Sequence, residues 1–99
     1  MDKWDPNWKY SGFSSNDNYW AGAKKACDDI GMSLPDKSKL QSLYEAGKKD
    51  SSLGLPTGGW FWSSSEDDAD DAYDVVFSNG SADNDYKYYS NGRVLCVGD

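Results

Sequence analysis

Trp60-Phe61-Trp62-Ser63-Ser64-Ser65-Glu66 is where the chain changes period. Upstream, apolar residues recur at helical spacing; from Trp60 onward they fall into short extended runs separated by turn residues. The later half predicts strands at 60–64, 73–78, 86–89 and 93–97. Ser78-Asn79-Gly80-Ser81 predicts a hairpin with a type I′ turn, since Asn-Gly readily takes positive φ, and Ser90-Asn91-Gly92 offers a second.

Before this switch, Ser14-Ser15-Asn16-Asp17 supplies N-cap oxygens. Trp20, Ala23, Cys27 and Ile30 follow on one face, and Gly31 provides a left-handed stop, predicting a helix over 17–30. Ser33-Leu34-Pro35-Asp36 reads as an extended link, with Asp36 or Ser38 capping a second helix. Leu40, Leu43, Tyr44 and Gly47 form the buried face of that helix, and Lys48 and Lys49 favour its C-terminal dipole. Asp50 to Gly59 breaks into a loop. Met1 to Phe13 reads as a strand or loop packed by its aromatic residues. The order helix, helix, strands indicates an α+β fold: two helices on a small antiparallel sheet, in one domain over 1–99.

Ninety-nine residues bury only part of the surface the unfolded chain exposes. Aromatic residues make up 15% of the chain, so the core relies on large rings such as Trp4, Trp8, Trp20, Trp60 and Trp62. Cys27 and Cys96 lie near opposite ends. Paired, they would close a long loop and suit an oxidising compartment; unpaired, they would be two buried thiols of a reducing one. No run is apolar enough to span a membrane, and the first twenty residues carry no signal-peptide pattern, so an exported chain would have lost its leader.

The net charge of −7 is carried by one segment. Glu66 to Asn91 holds eight acids against the single base Lys87, while the remainder balances at nine against nine. Nucleic-acid binding would call for a basic stripe and is not expected. The same segment places Tyr73, Tyr86, Tyr88 and Tyr89 among Asp, Asn, Ser, Gly and Ala, the mixture of rigid rings and adaptable polar groups found in recognition loops. Candidate ligand-binding residues are therefore Asp67, Asp68, Asp70, Asp71, Tyr73, Asp74, Asp83, Asn84, Asp85, Tyr86, Tyr88, Tyr89 and Asn91. Trp60, Phe61, Trp62, Val75, Phe77, Val94, Cys96 and Val97 would form the frame holding them. The excess of acid suggests a protein or carbohydrate ligand with basic patches.

Several landmarks together resemble a known family: Ala23-Lys24-Lys25-Ala26-Cys27, Gly31, Leu34-Pro35, Leu40, Leu43, Phe61-Trp62-Ser63-Ser64-Ser65-Glu66, Ala72-Tyr73, Phe77, Gly80 and Arg93-Val94-Leu95-Cys96-Val97. They are similar to the C-terminal domain of Legionella collagen-like protein and the Fibrobacter major paralogous domain. That resemblance implies a C-type-lectin-like fold, a Cys27–Cys96 disulfide, and a non-enzymatic adhesive or ligand-binding module at the bacterial cell surface, extracellular or pilus-associated. The alphabet of residues 67–91 is narrow, with Lys87 its one exception, and is reachable from Asn codons by changing adenines. In this setting it resembles the variable region of a diversity-generating retroelement on a bacterial or phage surface protein.

The motifs of calcium-dependent sugar-binding lectins are missing; only Leu34-Pro35-Asp36 and Asn84-Asp85 echo them. Asp67-Asp68-Ala69-Asp70-Asp71 and Asp83-Asn84-Asp85 supply oxygens of the kind calcium prefers, but without EF-hand spacing. No cofactor is expected, with a structural calcium and calcium-dependent carbohydrate binding as the alternatives. A structural head domain of a pilus or fibre is another. Catalysis is not expected, because the chain has no histidine and no nucleophile elbow; an acid–base site would have to use paired carboxylates such as Glu66 and Asp70.

Overall fold

The computed structural model describes residues 3–5, 9–10, 18–89 and 92–98. Two helices and two sheets make an α+β fold. Strands β1 (Lys3–Trp4) and β2 (Lys9–Tyr10) precede helix α1 (Tyr19–Asp28) and helix α2 (Lys37–Lys49), and a single 3₁₀ turn follows at Ser51–Leu53. The chain then runs through β3 (Trp60–Glu66), β4 (Asp71–Val76), β5 (Ala82–Tyr86), β6 (Arg93–Val94) and β7 (Val97–Gly98).

Helix α1 is shorter than the spacing predicts. Asn18 caps it, its side chain accepting from the Ala21 N–H at 2.9 Å, and the expected caps up to Asp17 lie outside the described residues. Ile30 falls beyond the helix end and is 52% exposed, while Met32 packs on the core in its place. Helix α2 follows expectation: the Asp36 side chain accepts from the Lys39 N–H at 2.8 Å, and Leu40 and Leu43 are buried.

The larger sheet has the order β2-β6-β3-β4-β5 and is mixed rather than antiparallel, because β6 runs parallel to β3 with Phe61 opposite Arg93. β7 leaves that sheet to pair with β1. The predicted strand 93–97 is thus two pieces, broken where Cys96 turns toward α1 and its carbonyl accepts from the Asp5 N–H at 2.8 Å. The predicted strand 86–89 lies instead at Ala82–Tyr86. Its Asp- and Asn-rich sequence has little strand propensity, but its backbone pairs with β4 from Asp71↔Tyr86 to Val75↔Ala82. The hairpin is where the sequence places it, with a wider loop: the Val76 carbonyl accepts from both Asn79 N–H and Gly80 N–H, and Gly80 takes φ +77°.

Alternation along the strands feeds two cores. Trp62, Ala72, Val94 and Cys96 pack with Trp20, Ala23 and Cys27 of α1. Phe61, Val75, Phe77 and Leu95 pack with Leu40 and Leu43 of α2. Cys27 and Cys96 form the disulfide, tying α1 to the C-terminal strands across 69 residues. Such a bridge in so small a domain fits an oxidising compartment. Of the expected aromatic frame, Trp20 and Trp62 are buried and Trp4 and Trp60 partly so; Trp8 lies outside the described residues.

The Trp-Ser-Ser block has a structural explanation. Pairing is irregular between Trp62 and Glu66, and the fully buried Ser63 satisfies the polar groups there. Its hydroxyl donates to the Tyr73 carbonyl at 2.6 Å and accepts from the Ser65 N–H at 3.1 Å, while its carbonyl accepts from Trp20 Nε1 at 2.7 Å. The Ser64 N–H donates to the Pro35 carbonyl at 2.8 Å and Ser65 Oγ accepts from the Lys37 N–H, so the Leu-Pro link and the serine block hold one another.

Candidate functional site

The acidic segment gathers at one end of the β4–β5 pair, on the outer edge of the larger sheet. The loop joining β3 to β4 carries Asp67, Asp68 and Asp70, all exposed. Asp68 shapes that loop, its Oδ1 accepting from the N–H groups of Asp70 and Asp71 at 2.9 and 2.8 Å.

The two faces of β4–β5 divide the remaining candidates. On one face lie Asp71, Tyr73, Asn84 and Tyr86, with Asp71 opposite Tyr86 and Tyr73 opposite Asn84. Asn84 Nδ2 donates to Asp67 at 2.6 Å, the Tyr73 hydroxyl reaches the same carboxylate at 3.5 Å, and Lys37 Nζ sits 3.8 Å from the Tyr73 ring centre. Tyr88 and Tyr89 follow in the turn after β5 and pack against Tyr86, with ring centres 4.9 and 5.8 Å away. On the other face lie Asp74, Asp83 and Asp85.

Asp74 corrects the list of surface residues. It is fully buried, at 0% exposure, opposite Trp62 on β3 and Asp83 on β5, so it cannot meet a ligand at the surface. Neither carboxyl oxygen accepts a hydrogen bond. Burial, together with the neighbouring carboxylates of Asp85 and Asp83, raises its pKa to about 9. Protonation accounts for the missing donors, because a neutral carboxyl costs far less to bury without partners than a carboxylate does. Asn91 lies outside the described residues.

Lys87 is the anchor of the site, although its charge in an acidic segment suggested nothing of the kind. It is 3% exposed. Its ammonium donates to Glu66 at 2.7 Å and to the carbonyls of Asp68 and Ala69 at 3.0 and 3.1 Å, and lies 4.2 Å from the Trp20 ring centre. Its backbone N–H donates to the Asp70 carbonyl at 2.8 Å, and its carbonyl accepts from the first N–H groups of α1, Tyr19 and Trp20. One residue therefore holds the acidic loop, the tyrosine turn and the start of α1 together. The signal available in the sequence was its status as the single departure from a narrow alphabet.

A family model described as a domain of unknown function, DUF8780, matches residues 11–98. The chain belongs to that family. No curated protein matches it. The DUF8780 match spans both helices, the disulfide, the Lys87 anchor and the whole acidic segment.

Within this DUF8780 domain, Glu66 is held below the usual carboxylate range by its hydrogen bond to Lys87, which makes it a poor proton donor for the Glu66–Asp70 pair considered above. Asp71 is pushed the other way, by partial burial and then by Asp68, Asp67, Asp70 and Asp85. Asp67, Asp68 and Asp71 bring carboxylate oxygens within 4.8 Å of one another, a donor set chemically suited to a hard cation. Much of that set is already used: Asp68 Oδ1 accepts two N–H groups, and Asp67 accepts from Asn84 and Tyr73. No described helix is long and apolar enough to cross a membrane.

Proposed function

We propose that this domain is an extracellular ligand-binding module of the C-type-lectin-like kind, with its recognition surface at the Asp67–Tyr89 end of β4–β5. One observation carries the reading: a single narrow alphabet is sorted by burial. Six of its exposed members, Asp67, Asp70, Asn84, Tyr86, Tyr88 and Tyr89, lie toward one end and one face of an edge strand, while Ser78, Asn79 and Ser81 form the hairpin at the other end and Asp83 is exposed on the opposite face. Its buried members, Ala72, Asp74, Val75 and Phe77, are embedded in the frame. The disulfide, the Trp-Ser-Ser block and Lys87 hold that end from the core side, so substitution at the exposed positions leaves the packing untouched. This is the economy of a recognition face on a rigid scaffold.

Diversification by a retroelement follows as the second half of the proposal, together with display on a bacterial or phage surface or pilus. Sequencing the locus and its copies in related strains tests both halves. The expected result is a reverse-transcriptase gene and a near-repeat of the coding segment. Substitutions would concentrate at the exposed positions and spare Ala72, Asp74 and Lys87. A locus with neither gene nor repeat refutes diversification, and variation spread evenly over α2 and β5 refutes the recognition surface.

A further inference from the structure

Tyr86, Tyr88 and Tyr89 are exposed by 44%, 40% and 49%, yet the three rings are not scattered. Tyr88 packs on Tyr86 at a 46° tilt and Tyr89 meets Tyr86 edge-on at 76°, so Tyr86 is flanked on two sides. Three half-exposed rings held together form an aromatic patch beside a concentration of carboxylates. Asp71 is the cross-strand partner of Tyr86, and the Asp70 carbonyl accepts the N–H of the intervening Lys87.

The bases near that end already have local partners: Lys24 acts on Glu66 and lies 3.9 Å from the Trp20 ring centre. Lys87, the base closest in sequence, is buried and spends its charge on Glu66 and two carbonyls. Lys37 lies over Tyr73. Asp71 is shifted upward first by partial burial and then by the surrounding acids Asp68, Asp67, Asp70 and Asp85. Rings that attract cations through their faces and carboxylates that accept fork-like donors are complementary to one side chain above others, the planar guanidinium. An ammonium satisfies the charge but neither stacks flat nor donates in a fork.

From this geometry we infer that the Tyr86–Tyr88–Tyr89 cluster, with Asp70 and Asp71 beside it, is the docking point for an arginine side chain on a basic segment of a partner protein. The inference rests on the reading of this end of β4–β5 as the recognition surface, and it names what that surface takes. The acid excess also steers such a segment toward it from a distance.

A short arginine-bearing peptide and its lysine and glutamine counterparts, titrated into the disulfide-bonded domain and followed by NMR at about 0.15 M salt, test the inference. The arginine peptide is expected to bind at least about tenfold more tightly than the glutamine peptide, with lysine between them. Its shifts should centre on Tyr86 and Asp71. Tyr86→Ser and Asp71→Asn are each expected to weaken the arginine peptide severalfold while the near-ultraviolet signal of the tryptophan core stays unchanged. Equal binding of the glutamine peptide overturns the inference. So does an arginine affinity that survives Tyr86→Ser, which would mean diffuse attraction to the acids alone. Natural variation clustered on the exposed positions, alongside failure of the arginine peptide, sinks the arginine assignment and leaves the recognition surface standing.

Discussion

Replacing Asp74 by asparagine keeps the shape of the side chain and removes its titratable proton. In the folded protein Asp74 is fully buried between Trp62 and Asp83, with its pKa raised to about 9 by burial and by Asp85 and Asp83. An unfolded chain ionises the same group near its ordinary value of 3.8. Below that value both states hold the proton and pH has no effect through this residue. Between it and about 9, the unfolded state releases a proton that the folded state keeps. Stability must therefore fall as pH rises through that window, by up to roughly 1.4 kcal/mol per pH unit, and level off above it. At neutral pH the accumulated cost is at most about 4 kcal/mol, a large fraction of the stability of a small domain. An asparagine amide is neutral like the protonated acid and lacks the ionisation that penalises folding. Asp74→Asn is expected to stabilise the domain by about 2–4 kcal/mol at neutral pH and to lose that advantage toward about pH 4. Urea unfolding of both proteins across this range, with m-values compared, measures the difference directly. Equal pH slopes, or a variant destabilised at neutral pH, would refute the buried protonated carboxyl. Asp85→Asn should lower the pKa of Asp74 by removing its like-charged neighbour, shortening the window without abolishing it.

Reducing the Cys27–Cys96 bridge removes a constraint on a long loop and should cost about 4 kcal/mol; thiol titration before and after reduction, paired with thermal melts, checks both the bond and its worth. Lys87→Met deletes three hydrogen bonds joining the acidic loop to the tyrosine turn and should cost about 2 kcal/mol, with accelerated amide exchange at residues 67–70 as the local readout. Gly92→Ala would put a methyl carbon 2.7 Å from the Trp60 ring and closer still to the Trp62 indole, which predicts a loss of about 1–3 kcal/mol and a changed tryptophan fluorescence spectrum. If the Asp67–Asp68–Asp71 oxygens held a structural calcium, the melting temperature would fall on chelation; with those oxygens already accepting internal hydrogen bonds, it is expected to stay unchanged.

Much of the fold was legible because its signals are local. The Asp36 cap, the buried Leu40 and Leu43, the stop at Gly31 and the position of the Asn79-Gly80 turn all follow from residues within a few places of one another. β5 was misplaced because its Asp-Asn-Asp sequence carries no strand pattern: its extended shape comes from the β4 backbone and from Ala82, which packs against the α2-side core. The mixed sheet was illegible for a related reason, since nothing in Arg93-Val94 says which strand it will join or in which direction.

Composition alone located the acidic, tyrosine-rich segment, because charge and alphabet are properties of the residues themselves. It could not tell apart the roles of residues sharing that alphabet. Asp74 looked like its neighbours until the pleat turned it inward against Trp62. Lys87 was only the exception to that alphabet until the loop and turn closed over it and withdrew its charge from the surface. Sequence by itself determined two helices with the Asp36 cap of the second, a strand-rich second half and where the charge resides, all consequences of short-range chemistry. Which of those charges reach a partner was decided only by tertiary structure, because burial is set by neighbours distant in the chain and an ionisable group changes its chemistry when it leaves water.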